Sequence, residues 1–159
     1  MIMEHEKIFT RHLACPLGQL RLTATDRGLR TVGFVEDGER EADDHPVLRQ
    51  AADELLEYFA AKRTHFTVPL DPAGTEFQQA VWRQLVTIPC GSTVSYAKIA
   101  RAVGKPRGSQ AVGKANGSNP LAIVVPCHRV VGVSGKLTGY AGGIERKSWL
   151  LRHESATLF

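Results

Sequence analysis

Residues 95–130, SYAKIARAVGKPRGSQAVGKANGSNPLAIVVPCHRV, decide how the chain folds, because two short helices, a basic turn and a reactive pair follow one another there. Ser95 is a good N-cap, and Tyr96, Ile99, Ala100 and Val103 keep the i, i+3, i+4, i+7 spacing that gives a helix one apolar face. Gly104 closes that helix, and Lys105-Pro106-Arg107-Gly108 cannot continue it. Ser109 then caps a second helix, Gln110 to about Gly117, so the pair reads as a helix-turn-helix with basic residues in the turn. Ala111, Gly113, Ala115 and Gly117 leave the second helix almost without side-chain bulk, and each interior glycine costs roughly 1 kcal/mol relative to alanine. A smooth helix of this kind suits close approach by something to its backbone. A major-groove reader needs Arg, Asn or Gln at the base edges, whereas a narrow minor groove read through its backbone suits small side chains. Tight packing between helices is the alternative use.

Beyond the second helix, the apolar run Leu121-Ala122-Ile123-Val124-Val125 leads into Pro126-Cys127-His128-Arg129. A thiol attacks only as thiolate, and a neighbouring imidazole brings its pKa toward neutrality, which makes Cys127 the leading candidate nucleophile. On these four residues alone, a buried small hydrophobe is an equally good reading of Cys127.

Charge is unevenly spread. Residues 1–70 carry 9 Lys and Arg against 12 Asp and Glu, a balance of −3, while residues 71–159 carry 11 against 4, a balance of +7. The basic half holds Cys127 and suits a polyanion, since neutralised phosphates release counterions; a merely basic solvated surface is the plainer reading. Cys15, Cys90 and Cys127 are odd in number and widely spaced, which fits neither a disulfide framework nor a four-ligand zinc site. Reduced thiols, no metal and no cofactor are expected. The chain shows neither an 18-residue apolar run nor a basic-then-apolar leader, so a cytoplasmic protein without membrane contact is expected.

Toward the N-terminus, residues 9–15, 20–24 and 29–35 read as short strands separated by Pro16-Leu17-Gly18 and Thr25-Asp26-Arg27-Gly28. After the acidic, turn-forming segment 36–44, Pro46 opens a helix with Leu48, Ala52, Leu55 and Phe59 on one face, which covers the small sheet. The histidines at 5, 12, 45 and 65 are scattered and expected to be exposed. A proline-containing connector around Thr64–Gly74 divides the chain, and we read residues 1–70 and 71–159 as its two domains. Thr75 and Gln78 form a capping box ahead of Phe77, Val81, Leu85 and Ile88, and a tail helix from about Ile144 to His153 packs through Trp149, Leu150 and Leu151. The fold class is α+β: a small N-terminal antiparallel sheet with a covering helix, then a mostly helical domain containing the helix-turn-helix.

Ser95-Tyr96, Ser118-Asn119-Pro120, Ile123 to Val130 and Gly139-Tyr140-Ala141-Gly142-Gly143 together resemble the methylated-DNA-protein-cysteine methyltransferases, the O6-alkylguanine-DNA alkyltransferases. The match is strong from about Phe77 to Glu154 and far less diagnostic before it. The resemblance implies irreversible, single-turnover transfer of an alkyl group from O6 of a flipped guanine in duplex DNA to Cys127. It makes His128 the base acting through a water, Glu154 the carboxylate orienting that imidazole, Asn119 the brace of the active-site turn, and Tyr96 the partner of the guanine. It implies a base pocket lined by the loop Val130–Gly142, with Tyr140, the backbone of Ala141, and Gly142, and it assigns DNA contact to Ser95, Ser109, Gln110, Ala111, Gly113 and Arg129. One departure stands out: family members commonly carry arginine where this chain has Gln110, which has no charge and less stacking surface, so base extrusion is expected to be slower or weaker. A monomer is expected, and whether molecules cluster cooperatively along DNA, or accept O4-alkylthymine, stays open. The rival within the same fold is an alkyltransferase-like protein that recognises the lesion without transfer, and Cys127 argues against it. A cysteine hydrolase is the distant rival, since it needs an oxyanion site that is not visible.

Overall fold

A computed structural model describes residues 6–37, 42–132 and 135–157; His5, and the parts of the 36–44 and 130–142 segments at 38–41 and 133–134, lie outside the described residues. Strands β1 (Phe9–Cys15), β2 (Gly18–Thr25) and β3 (Gly28–Val35) form an antiparallel sheet in that order, as the alternating pattern and turn residues predict. Cys15 pairs with Gly18 and Thr25 with Gly28, so both hairpins turn through two residues, and Gly18 supplies the positive φ of 121° that the first requires. Helix α1 (Pro46–Phe59) lays Leu48, Ala51, Ala52, Leu55 and Tyr58 on this sheet. His45 is not exposed as expected. It is the N-cap of α1, 9% exposed, with Nδ1 accepting from the Val47 N–H and its ring against Phe9.

Helix α2 (Glu76–Val86) has the expected capping box, with the Thr75 and Gln78 side chains each satisfying the other's backbone N–H. The helix-turn-helix follows as α3 (Tyr96–Ala102) and α4 (Ser109–Gly117). Ser95 caps α3 by accepting from the Lys98 N–H at 3.1 Å, but Ser109 does not cap α4: Gly108 holds that position and Ser109 is the first helical residue. Short strands β4 (Val94–Ser95) and β5 (Val130–Val131) pair in parallel, tying the start of α3 to the segment just after the Cys-His pair. Helix α5 (Ile144–Thr157) runs longer than the spacing indicates. Its inward face is also different. Lys147, Leu150 and Glu154 are fully buried, whereas Trp149 and Leu151 are only half-buried. Three apolar residues in a row cannot all face inward on a helix, and the two charged residues at i, i+3 and i+7 around Leu150 take the buried face instead.

One apolar core runs unbroken from the sheet to the helix-turn-helix, from Leu20, Leu22 and Leu55 through Val81, Trp82 and Leu85 to Val112 and Leu121. Trp82 locks α2 to α4 by donating its indole N–H to the Ala115 carbonyl at 2.8 Å. The outer edge of β3 is covered twice. Leu29 N–H donates to Pro69 O and Asp71 N–H to Leu29 O, both at 2.8 Å; farther along, Val32 N–H donates to Pro120 O at 2.8 Å and Ala122 N–H to Val32 O at 3.1 Å. The connector therefore passes so close to Gly28 that a Cβ there would lie 2.7 Å from Pro69 O, while a Cβ at Gly33 would meet nothing within 4 Å. Gly28→Ala is expected to lower stability by roughly 1–3 kcal/mol through this clash, and Gly33→Ala to stay within about 0.5 kcal/mol of the parent, both read from urea midpoints at unchanged slope.

Candidate active site

Cys127 opens a single 3-10 turn, Cys127–Arg129, at the end of a chain path bent twice in succession. Val124 N–H donates back to Ala122 O at 2.8 Å around Ile123, whose φ of 71° is strained for a β-branched residue. Cys127 N–H then donates to Val125 O at 2.8 Å around Pro126, whose φ of −81° and ψ of 64° make an inverse γ-turn. Asn119 spans the bend: its Oδ1 accepts from Leu121 N–H at 3.0 Å and its Nδ2 donates to Val125 O at 2.8 Å. The brace role implied by the resemblance fits this geometry. Buried Asn116, which nothing in the sequence pattern singled out, donates from Nδ2 to the Cys127 carbonyl at 3.3 Å.

His128 is fully buried, with Nε2 2.7 Å from Glu154 Oε2. The Glu154 carboxylate is also fully buried and receives Arg129 Nε on Oε1 at 2.8 Å, then Arg129 Nη2 and the Tyr58 hydroxyl on Oε2, each at 2.8 Å. Burial alone would raise its pKa, but hydrogen bonds from His128 and Arg129 hold it down to about 2, so it is an anion that only accepts. His128 Nε2 must then carry the ring proton. Burial, ahead of the opposing pull of Glu154, keeps the imidazole pKa below its ordinary value, so Nδ1 holds a free lone pair, and it has no hydrogen-bond partner among the described residues. A buried imidazole in this state is a base.

The thiol beside it is 6% exposed. Burial pushes its pKa up, against the hydrogen bond from Asn119 and the charge of Lys147, so it rests protonated and needs a base to react. Lys147 is fully buried and donates to Val130 O at 2.7 Å and Thr138 O at 3.0 Å, anchoring both ends of the loop that follows the Cys-His pair. Its signal in the sequence was the seven-residue spacing to Glu154 on one helix face, hidden by the apolar neighbours.

Arg129 is corrected from a DNA contact to an internal residue: it is 5% exposed, paired with Glu154, and its Nη1 donates to Ile88 O at 2.6 Å. The remaining residues assigned to substrate and DNA divide between interior and rim. Val130 is fully buried, and the hydroxyl of Tyr140 is buried without a partner among the described residues. Ala141 sits exposed in the turn closed by Gly143 N–H to Tyr140 O at 2.8 Å. Gly142 is so close to neighbouring rings that a Cβ would lie 2.7 Å from Tyr140 and 2.9 Å from Phe34. An open pocket of about 440 Å³ is lined by Tyr96, Ser109, Gln110, Gly113, Thr138 and Gly139, with the Tyr96 and Thr138 hydroxyls 2.8 Å apart.

On α4, Gln110, Ala111, Lys114 and Gly117 are exposed, and a Cβ at Gly113 or Gly117 would meet no atom within 4 Å. These glycines do not serve packing inside the protein. The smooth face looks outward, beside Arg101, Lys105 and Arg107, which are all exposed. An exposed basic helix-turn-helix and a buried thiol, imidazole and carboxylate thus share one chain segment.

Family profiles for the 6-O-methylguanine DNA methyltransferase ribonuclease-like domain and DNA binding domain match residues 8–72 and 76–156. The chain belongs to the 6-O-methylguanine DNA methyltransferase family. It is 46% identical over 154 residues to the methylated-DNA–protein-cysteine methyltransferase of Mycobacterium tuberculosis, covering 94% of this chain and 93% of the relative. Against that of Methanosarcina acetivorans it is 44% identical over 147 residues, covering 89% and 94%. The crystal structure of M. tuberculosis OGT in complex with DNA superposes with a TM-score of 0.85 at 47% identity, covering 93% of both chains.

Among the described residues, no group of three or more His, Cys, Asp or Glu is placed to hold a metal ion, and no helix is long and apolar enough to cross a membrane. A carboxylate held below its ordinary value contributes stability above its unfolded pKa of about 4.3, and that contribution is lost as pH falls toward its folded value. The urea midpoint of the parent is therefore expected to fall more steeply between about pH 5 and pH 2 than that of Glu154→Gln, which has no such proton to gain.

Proposed function

We propose that the protein repairs alkylated DNA by moving the alkyl group from O6 of guanine onto Cys127 once per molecule. The observation that carries this reading is the buried His128–Glu154 pair, whose Nδ1 has no partner among the described residues, directly after buried Cys127 in a unit whose helix α4 turns a smooth face outward. His128 takes the thiol proton through a water. Sulfur then attacks the alkyl carbon in line as the carbon–oxygen bond breaks, and the guanine accepts a proton as it leaves, with the Tyr96 hydroxyl, which lines the open pocket, as its donor. The products are a thioether and unmodified guanine. No ordinary hydrolysis cleaves that thioether, so the protein is consumed.

For DNA, the reading is minor-groove binding by α4, with the damaged base flipped into the pocket lined by Tyr96, Tyr140 serving the base as the resemblance implies, and Gln110 filling the place it leaves. Ser95, Ser109, Ala111 and Gly113 surround that contact. Residues 1–70 act as the support domain and 71–159 as the DNA-binding and catalytic domain, in a monomer working on cytoplasmic DNA.

Incubation with an oligonucleotide carrying O6-methylguanine is expected to add one methyl group to the tryptic peptide containing Cys127 and none to Cys127→Ser. A bound but unmodified protein would mean recognition without transfer, and unmodified protein without binding would end this reading altogether. Gln110→Arg, which restores charge and stacking surface at the vacated base position, is expected to speed single-turnover repair roughly 3- to 10-fold, the effect of about 1 kcal/mol; equal rates would remove Gln110 from the extrusion step.

A further inference from the structure

We propose that Tyr58, contributed by the N-terminal half of the chain, is a positioning residue for alkyl transfer, setting through its hydroxyl the carboxylate oxygen that orients His128. This rests on the relay reading above and extends it to a residue on α1. The hydroxyl donates to Glu154 Oε2 at 2.8 Å, the same oxygen that lies 2.7 Å from His128 Nε2. The ring is held without freedom to swing: Tyr58 is 1% exposed and packed against Phe59, Phe66 and His153. Burial, and next the Glu154 charge, keep the phenol pKa well above its ordinary value, so the group remains a donor at any working pH.

Three donors therefore converge on one oxygen, and each draws charge from it. With the phenol removed, Oε2 keeps more charge and holds the imidazole proton more firmly. The imidazolium form gains, and the Nδ1 lone pair is lost to a proton at a higher pH than in the parent. Other titratable groups around the pair are Arg129 beside His128, Cys90 in the turn after α2, whose thiol pKa is raised by burial and then by Glu154, and Lys147 on α5, whose charge lowers the His128 pKa. None of these is altered by Tyr58→Phe.

Single-turnover repair, followed as a function of DNA concentration and pH, separates binding from chemistry. For Tyr58→Phe we expect unchanged DNA affinity, a limiting transfer rate reduced roughly 3- to 10-fold at neutral pH, and an acid limb displaced to higher pH. Fluorotyrosine at position 58, a stronger donor that keeps the ring, should displace that limb to lower pH. In a Glu154→Gln background, Tyr58→Phe should add no further loss. A parent-like rate and acid limb for Tyr58→Phe, or an equal additional loss in the Glu154→Gln background, overturns the proposal. Should Glu154→Gln itself transfer at the parent rate, the relay reading falls, and that arm shows it independently of position 58.

Discussion

The Glu154 carboxylate is the point on which this molecule turns. Burying an anion costs several kcal/mol unless donors replace its water, and here they come from the two residues after Cys127 and from α1. That one group therefore fixes the inward face of α5, the rotation of the Cys127–Arg129 turn, and the seating of α1 against both. Arg129 extends the network to the end of α2 through the Ile88 carbonyl. The anion sets which nitrogen carries the imidazole proton, while burial, against the pull of Glu154, keeps the ring neutral.

Around the sulfur the logic is one of restraint. Ile123 and Pro126 bend the backbone twice within four residues, and Asn119, one side chain with a donor and an acceptor, ties the two ends of that bend. Strain of this kind persists only where the surroundings over-determine it. Buried Lys147 supplies the remaining restraint by fastening the following loop at Val130 and Thr138. The thiol thus sits protonated and enclosed, inert until a proton acceptor and an electrophile meet it together.

Much of this was legible in the sequence, for definite reasons. The strands, the capping box and both helices of the helix-turn-helix show in local periodicity and turn chemistry, which depend on neighbours a few residues apart. Cys127 and His128 are adjacent in the chain, so the pair is visible without the fold. Tyr58 and Glu154 are 96 residues apart, and no local pattern announces such a pair. The resemblance assigns Arg129 to DNA, and only the buried acid opposite explains its place inside. The α5 face differs for a related reason: apolar residues point to Trp149, Leu150 and Leu151, whereas charged Lys147 and Glu154 flank Leu150 on the buried side. His45 shows the same limit at small scale, its role as a cap depending on where α1 starts.

The covered edge of β3 has a further meaning. Segments from the connector and from just before the Cys-His run lie along that strand as short extra rungs, so the two halves of the chain are joined by backbone as well as by side chains. Separating them would strip those rungs away and leave a bare, adhesive strand margin on one piece.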